Sequence, residues 1–340
     1  MFKDHLQYLR CPKSGSVLEL HIDEEENQQV KSGTLTTADG RFTYPIIDFI
    51  PRFVPESNYA DNFGLEWNAY ARTQYDSTSG FPLSETRFFE ATQWPRDLTG
   101  EIILECGSGS GRFTEWALST GATVVSFDYS AAVEANFQSN CDNPRLLLVQ
   151  ASIYEMPFEK NFADRVFCFG VIQHTPDPKK TFNCLLEGLK PGGSLVTDVY
   201  RLSLRTVIGT RGLFRVFTKR MEPEKLRRFV HWYVDTMWPL VRLLQKMPKG
   251  LGVIFTRKFL SIADHSTGGL KGAPDAQIKE WAYLNTYDGL SPRYENNQTL
   301  ATFRRWHEEA GLEEIDVQPG YNGIVGRAIK PEEDSKRKAA

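Results

Sequence analysis

The stretch ILECGSGSGRF places Glu105 two residues ahead of three alternate glycines, Gly107, Gly109 and Gly111. An apolar run precedes it and an amphipathic run follows, so the glycines fall on a turn between a strand and a helix. Such a turn lacks Cβ atoms, and its N–H groups can close around a ligand. Asp128 lies seventeen residues beyond Gly111, at the end of the apolar run TVVSFD. A carboxylate at the end of a second strand can accept hydrogen bonds from both hydroxyls of a ribose. Together these residues specify an adenosine-containing cofactor. The loop reads GxGxG, not the GxGxxG of a dinucleotide fold. An acid just ahead of it suits a positively charged ligand end, such as the α-ammonium of an amino acid, better than a pyrophosphate.

These residues need a frame. From Gly100 to Tyr200 short apolar runs (EIILEC, TVVSFD, RLLLVQ, DRVFCFGV, SLVTDVY) alternate with amphipathic ones (RFTEWALS, SAAVEANFQSN, PKKTFNCLLEGL). Strict alternation predicts an α/β fold, a doubly wound, mostly parallel sheet covered by helices on both faces. The chain divides into five parts: a small β module over 1–56; a core with N-terminal cap helices over 57–200; a basic, aromatic, helical insertion over 201–287; a helix and strand hairpin over 288–330 that completes a seven-stranded sheet; and a disordered tail over 331–340.

Glu105-x-Gly-x-Gly-x-Gly resembles the first motif of class I S-adenosylmethionine-dependent methyltransferases of the type 11 kind. VQASIYEMPF, FADRVFCFGVIQHTPDP and LKPGGSL then follow in that family's order, and the resemblance covers about residues 100–200. It implies S-adenosylmethionine as cofactor, with Glu105, Gly107, Ser108, Gly109 and Gly111 around its amino-acid end. Asp128 and Tyr129 would hold ribose and adenine, and Phe169 and Gly170 would line the methyl-bearing sulfonium. Ser152 stands where the family usually has an acid for the adenine amine, with Ile153 against the ring. Arg112 is placed either to reach the cofactor carboxylate or to be solvated. LRCPKSG followed by YPIIDFIP resembles the zinc-ribbon-like module of tRNA-methyltransferase activators. The remaining metal-site cysteines are absent, so a zinc-free version is expected and no metal is assigned.

Methyl transfer to a hydroxyl needs an aligned nucleophile and a group to take its proton. His174, just past the fourth strand of the alternating region, is the candidate base, against a purely structural role for a histidine in such a loop; Asp198 and Tyr200, at the end of the fifth, stand behind it. Tyr287, Asp288, Arg293 and Tyr294 read as a polar aromatic loop suited to a polyhydroxyl acceptor. The expected activity is therefore methyl transfer to a small-molecule, sugar or lipid-linked glycan acceptor, at a hydroxyl. The alternatives are a cofactor-binding scaffold without turnover and an RNA methyltransferase.

Composition agrees with a water-folded enzyme. Hydrophobic residues make up 41% and charged ones 24% of 340 residues, close to globular averages. Five cysteines form no CxxC pair, which points to reduced thiols and a cytoplasmic setting. No secretory leader or membrane span is indicated. The net charge of −3 hides an asymmetry: residues 201–260 hold fourteen Lys and Arg against three Asp and Glu. Three uses follow for that basic segment: peripheral contact with the inner face of a membrane, phosphate binding, or the solvated face of a lid. The acidic remainder makes nucleic acid the least expected partner.

Overall fold

The computed structural model of the protein describes residues 1–55, 60–202 and 210–332. The core carries β5 (Ile102–Cys106), α4 (Arg112–Ser119), β6 (Thr123–Asp128), α5 (Val133–Asn140), β7 (Leu146–Gln150), β8 (Ala163–Cys168), α6 (Pro178–Gly188) and β9 (Leu189–Val199). The chain returns at its end as β10 (Glu313–Gly320) and β11 (Gly323–Ile329). The seven strands lie in the order β10-β11-β9-β8-β5-β6-β7. β9, β8, β5, β6 and β7 are parallel, and β11 pairs antiparallel with both β9 and β10. This is the doubly wound, mostly parallel sheet that the alternation predicts. Strand order reverses between β5 and β8, so their carboxyl ends open a crevice.

The core strands read as continuous apolar runs because both faces are covered. Leu104, Val125, Leu147 and Val166 are fully buried on one side of the sheet and Ile103, Val124 and Val196 on the other. The N-terminal unit is a four-stranded antiparallel sheet of β1 (Leu18–Glu26), β2 (Gln29–Thr37), β3 (Thr43–Ile47) and β4 (Ile50–Pro51). It has no separate core: Leu9, Leu18, Val30 and Leu35 bury in the same cluster as Leu104 and Val125. Arg52 pairs with Gln150 at the free edge of β7, its guanidinium 2.8 Å from the side-chain oxygen. Among the described residues no group of three or more His, Cys, Asp or Glu is arranged to hold a metal.

Between the N-terminal unit and the core lie α1 (Asp61–Ala69), α2 (Asp76–Ser79) and α3 (Leu83–Thr92). The insertion contributes α7 (Arg211–Thr218), α8 (Pro223–Leu244), α9 (Leu251–Phe255), a π-helical turn at Thr256–Leu260 and α10 (Asp275–Leu290). On α8, Leu226, Val230, Val234, Trp238 and Val241 recur at helical spacing and bury against Ile278 and Trp281 of α10, giving the insertion its own core. The division drawn at 287/288 is corrected here. Tyr287 and Asp288 belong to α10, not to a loop; Gly289 falls in its last turn, where a glycine costs a helix little. α11 (Leu300–Glu309) starts at a Thr299 cap whose hydroxyl accepts from the Thr302 N–H. The tail from residue 333 lies outside the described residues.

Candidate active site

Gly107 and Ser108 follow β5, and their N–H groups donate to the Phe127 carbonyl at 2.8 and 3.1 Å, which ties the turn to the end of β6. Gly107 has φ +85°, and a Cβ there would stand 2.3 Å from a methyl of Val171. The Gly109 N–H donates to Asp128 at 2.9 Å. The other oxygen of Asp128 accepts from the Ser130 N–H and hydroxyl at 2.8 and 2.7 Å. Burial raises the Asp128 pKa, while these donors oppose the shift. Gly107, Ser108, Gly109, Asp128, Tyr129 and Ile153 all line one cavity of about 240 Å³ at the crevice.

Three residues assigned to the cofactor do not line that cavity. Glu105 sits beneath the turn, where one carboxylate oxygen accepts from the hydroxyls of Thr114 on α4 and, at 2.8 Å, Ser126 on β6. Burial pushes its pKa up to about 7, and the two hydroxyls pull against that. Through that oxygen it braces the turn against α4 and β6. Gly111, at φ +90°, faces α5, and a Cβ would stand 2.2 Å from the Asn136 side-chain oxygen. Its role is the close packing of α4 on α5. The Ser152 hydroxyl accepts from the Tyr154 N–H at 3.2 Å within its own turn, while Ala151 and Ile153 on either side line the cavity.

On the β8 side the cavity is lined by Phe169, Gly170, Val171 and His174. The Gly170 N–H donates to Asp198 at 2.5 Å, and the other Asp198 oxygen accepts from Arg87 of α3 at 2.6 Å. Asp198 therefore anchors the wall of the cavity. Arg87 lies over the rings of Phe113 and Phe169, 5.0 and 5.8 Å from their centres. Arg112 also lines the cavity, 4.5 Å over Phe113, with no hydrogen bond or ion pair among the described residues. Burial, then the like charge of Arg87, pushes its pKa down to about 9.

His174 stands 3.1 Å by Nδ1 from the Tyr294 carbonyl. A carbonyl only accepts, so Nδ1 carries the hydrogen and Nε2 keeps its lone pair. Nε2 is buried and has no partner among the described residues. Burial lowers the pKa of the ring below the ordinary histidine value, so the imidazole is neutral near pH 7. Phe63 and Tyr200 flank it at 5.4 and 5.3 Å between ring centres.

Sequence reasoning passed over two acids' partnership here. Glu66 of α1 is fully buried, both its oxygens lack a partner among the described residues, and it lines the cavity with Asp288 of α10. Burial and then Asp288 raise its pKa well above the carboxylate range. The signal was present: Glu66 lies on the same helical face as Phe63, Trp67 and Tyr70, an acid within an apolar stripe. Trp67 reaches the turn, its indole nitrogen 3.2 Å from where a Gly109 Cβ would be.

Residues 104–197 match a family model described as a methyltransferase domain. The chain is 22% identical over 156 residues to the ubiquinone biosynthesis O-methyltransferase of Coxiella burnetii, covering 42% of this chain and 62% of that protein. It is 30% identical over 100 residues to the demethylmenaquinone methyltransferase of Clavibacter sepedonicus, covering 29% and 41%. It is 26% identical over 112 residues to the tRNA U34 carboxymethyltransferase of Campylobacter curvus, covering 32% and 38%. The chain thus spans less than two thirds of the length of each of these relatives. A tRNA-modifying enzyme stands among them, so the comparisons lend no support to excluding nucleic acid. The family match falls on the strands and turns that frame the cavity, so residues 104–197 of this chain are those that resemble a methyltransferase domain.

Proposed function

We propose that the protein transfers the methyl group of S-adenosylmethionine to a hydroxyl of a small-molecule, sugar or lipid-linked acceptor. The single observation that carries this reading is the His174 tautomer, with a neutral ring and an unshared lone pair on Nε2 at the cavity wall. Relatives named as O-methyltransferases are in keeping with it.

The cavity fits the cofactor chemically. A carboxylate at the end of β6 suits the ribose hydroxyls, and Phe127 and Ile153 offer apolar surface for a base. Arg112, a half-buried cation with no ion pair among the described residues, suits the carboxylate of the amino-acid end. The bound cofactor supplies a methyl already made electrophilic by its sulfonium. The protein's remaining tasks are to align the acceptor and to take its proton. His174 Nε2 accepts that proton. Phe63 and Trp67 from α1 and Trp281 and Leu284 from α10 wall the cavity on the far side and exclude water.

Asp128→Ala is expected to weaken cofactor binding by about 2–3 kcal/mol, roughly 30- to 150-fold in Kd by calorimetry. Asp128→Asn keeps one acceptor oxygen for the turn and should lose less. Equal affinity in the alanine variant would remove the ribose assignment. The acceptor itself is read by incubating the protein and a cell extract with 13C-methyl cofactor. A labelled methoxy carbon in the product supports the proposal; label only on nitrogen or carbon, or in RNA, contradicts it, and so does the absence of S-adenosylhomocysteine.

A further inference from the structure

We infer that the insertion docks on an anionic lipid bilayer through the outer surface of α7, α8, α9 and the turn at Thr256–Leu260. The inner stripe of α8 already has its core, so water should face polar side chains on the outside. It does not. Leu213, Phe217, Trp232, Leu243, Ile254 and Phe259 are 69, 75, 62, 62, 59 and 49% exposed. Eleven of the sixteen exposed large apolar side chains among the described residues fall within 213–259, a concentration that scattered surface hydrophobics do not explain.

The elements that carry these side chains adjoin one another. Thr210, at the start of α7, donates its N–H to the Lys258 carbonyl at 3.2 Å and its hydroxyl to that of Phe259 at 2.9 Å. Phe255 and Phe259 have ring centres 4.8 Å apart. Gly252 packs on the Leu244 backbone so closely that a Cβ would overlap its carbonyl, which brings α9 against the end of α8. Phe229 bridges Phe214 of α7 and Trp232 of α8, with ring centres 6.5 and 6.1 Å away.

Charge selects the occupant. The three acids of residues 201–260 are already taken: Glu222 pairs with Lys225, Glu224 with Arg227 and Asp235 with Lys279. Lys219, Arg220, Arg228, Lys246 and Lys258 have no ion pair among the described residues. A second copy of the chain would bring the same positive surface and be repelled, whereas anionic headgroups complement it and acyl chains receive the apolar side chains. Tryptophan and phenylalanine suit that interface. No described helix is long and apolar enough to cross a membrane, which makes the contact interfacial.

The test uses the full chain and needs neither cofactor nor turnover, so its result is separate from that of the methylation assay. Vesicles of phosphatidylglycerol and phosphatidylcholine are sedimented with the protein, beside vesicles of phosphatidylcholine alone. The protein should pellet with the anionic vesicles and be released by salt. Phe217→Ser with Ile254→Ser, and separately Lys219→Glu with Arg220→Glu, should each reduce bound protein at least tenfold with an unchanged Tm. Protein left in the supernatant at low salt, equal binding to both vesicle types, or unaltered binding by both variants would overturn the proposal. So would a concentration-dependent dimer abolished by Phe217→Ser in protein that ignores vesicles.

Discussion

Asp198→Ala is expected to lower the unfolding free energy by about 3–5 kcal/mol, the usual loss when one partner of a buried ion pair is removed. Asp198 and Arg87 have side chains only 6% exposed each. One oxygen of Asp198 holds the guanidinium and the other holds the Gly170 N–H. Truncation strands both donors in a space already crowded with charge, since Arg112 lies close enough to Arg87 to feel its repulsion. Water cannot reach the gap freely, so the uncompensated cation carries most of the loss. Asp198→Asn keeps an acceptor for Gly170 and should lose less. Urea titration reads the effect as a fall in midpoint with the slope unchanged. A loss below 1 kcal/mol would mean that Arg87 finds another partner and that the anchor is dispensable. Because Gly170 lines the cavity, cofactor affinity should fall along with stability.

That anchor also shows where sequence reading stops. Asp198 at a strand end was legible as a residue aimed at the active edge of the sheet, because strands and their order follow from the alternation of apolar runs. Its partner Arg87 was not, since nothing local couples residues 111 positions apart. The glycine turn and Asp128 were readable because their chemistry is local: left-handed backbone at Gly107 and Gly111, and an acid at a strand end. Glu105 shows the limit of such locality. Its place next to the turn is a matter of sequence, but Thr114 and Ser126 draw its carboxylate into the layer below, and both are tertiary neighbours. Ser152 is drawn into its own turn for want of a longer side chain. The run YDGLSPRY looks like a loop because Gly289 and Pro292 are breakers, yet α10 continues to Leu290 while the insertion's core of Trp281, Tyr287 and Leu290 holds it. The N-terminal module reads as a separate unit from its short strands, and packing makes it part of the core instead. The insertion's outer surface is a mixed case: its positive charge can be counted along the chain, but which apolar residues stay in water depends on how the helices pack.

His174→Gln is expected to reduce kcat by roughly 10²- to 10⁴-fold, the usual contribution of a positioned general base. Cofactor Kd should stay within a factor of about two, as expected of a residue that acts on the acceptor alone. Glutamine can still donate to the Tyr294 carbonyl, so the fold around the turn is preserved. What it lacks is a basic nitrogen. With His174 as the proposed base, the neutral ring is the active form and burial lowers its pKa, so activity should hold through neutral pH and fall only below pH 6.5. The same shift acts on stability with a definite sign. Below pH 6.5 an unfolded histidine takes a proton that the folded one refuses, so His174 weakens the native state as the solution becomes more acid. In the glutamine variant the acid limb of the kcat profile should vanish with the rate. A merely structural histidine would change Tm and leave the shape of that profile intact. A variant with kcat within threefold of the native value and an unmoved acid limb would assign His174 to anchoring Tyr294, and the proton would then have to leave through Asp288 or Glu66. Those two carboxyls line the same cavity, and burial raises the pKa of each above the ordinary carboxylate value.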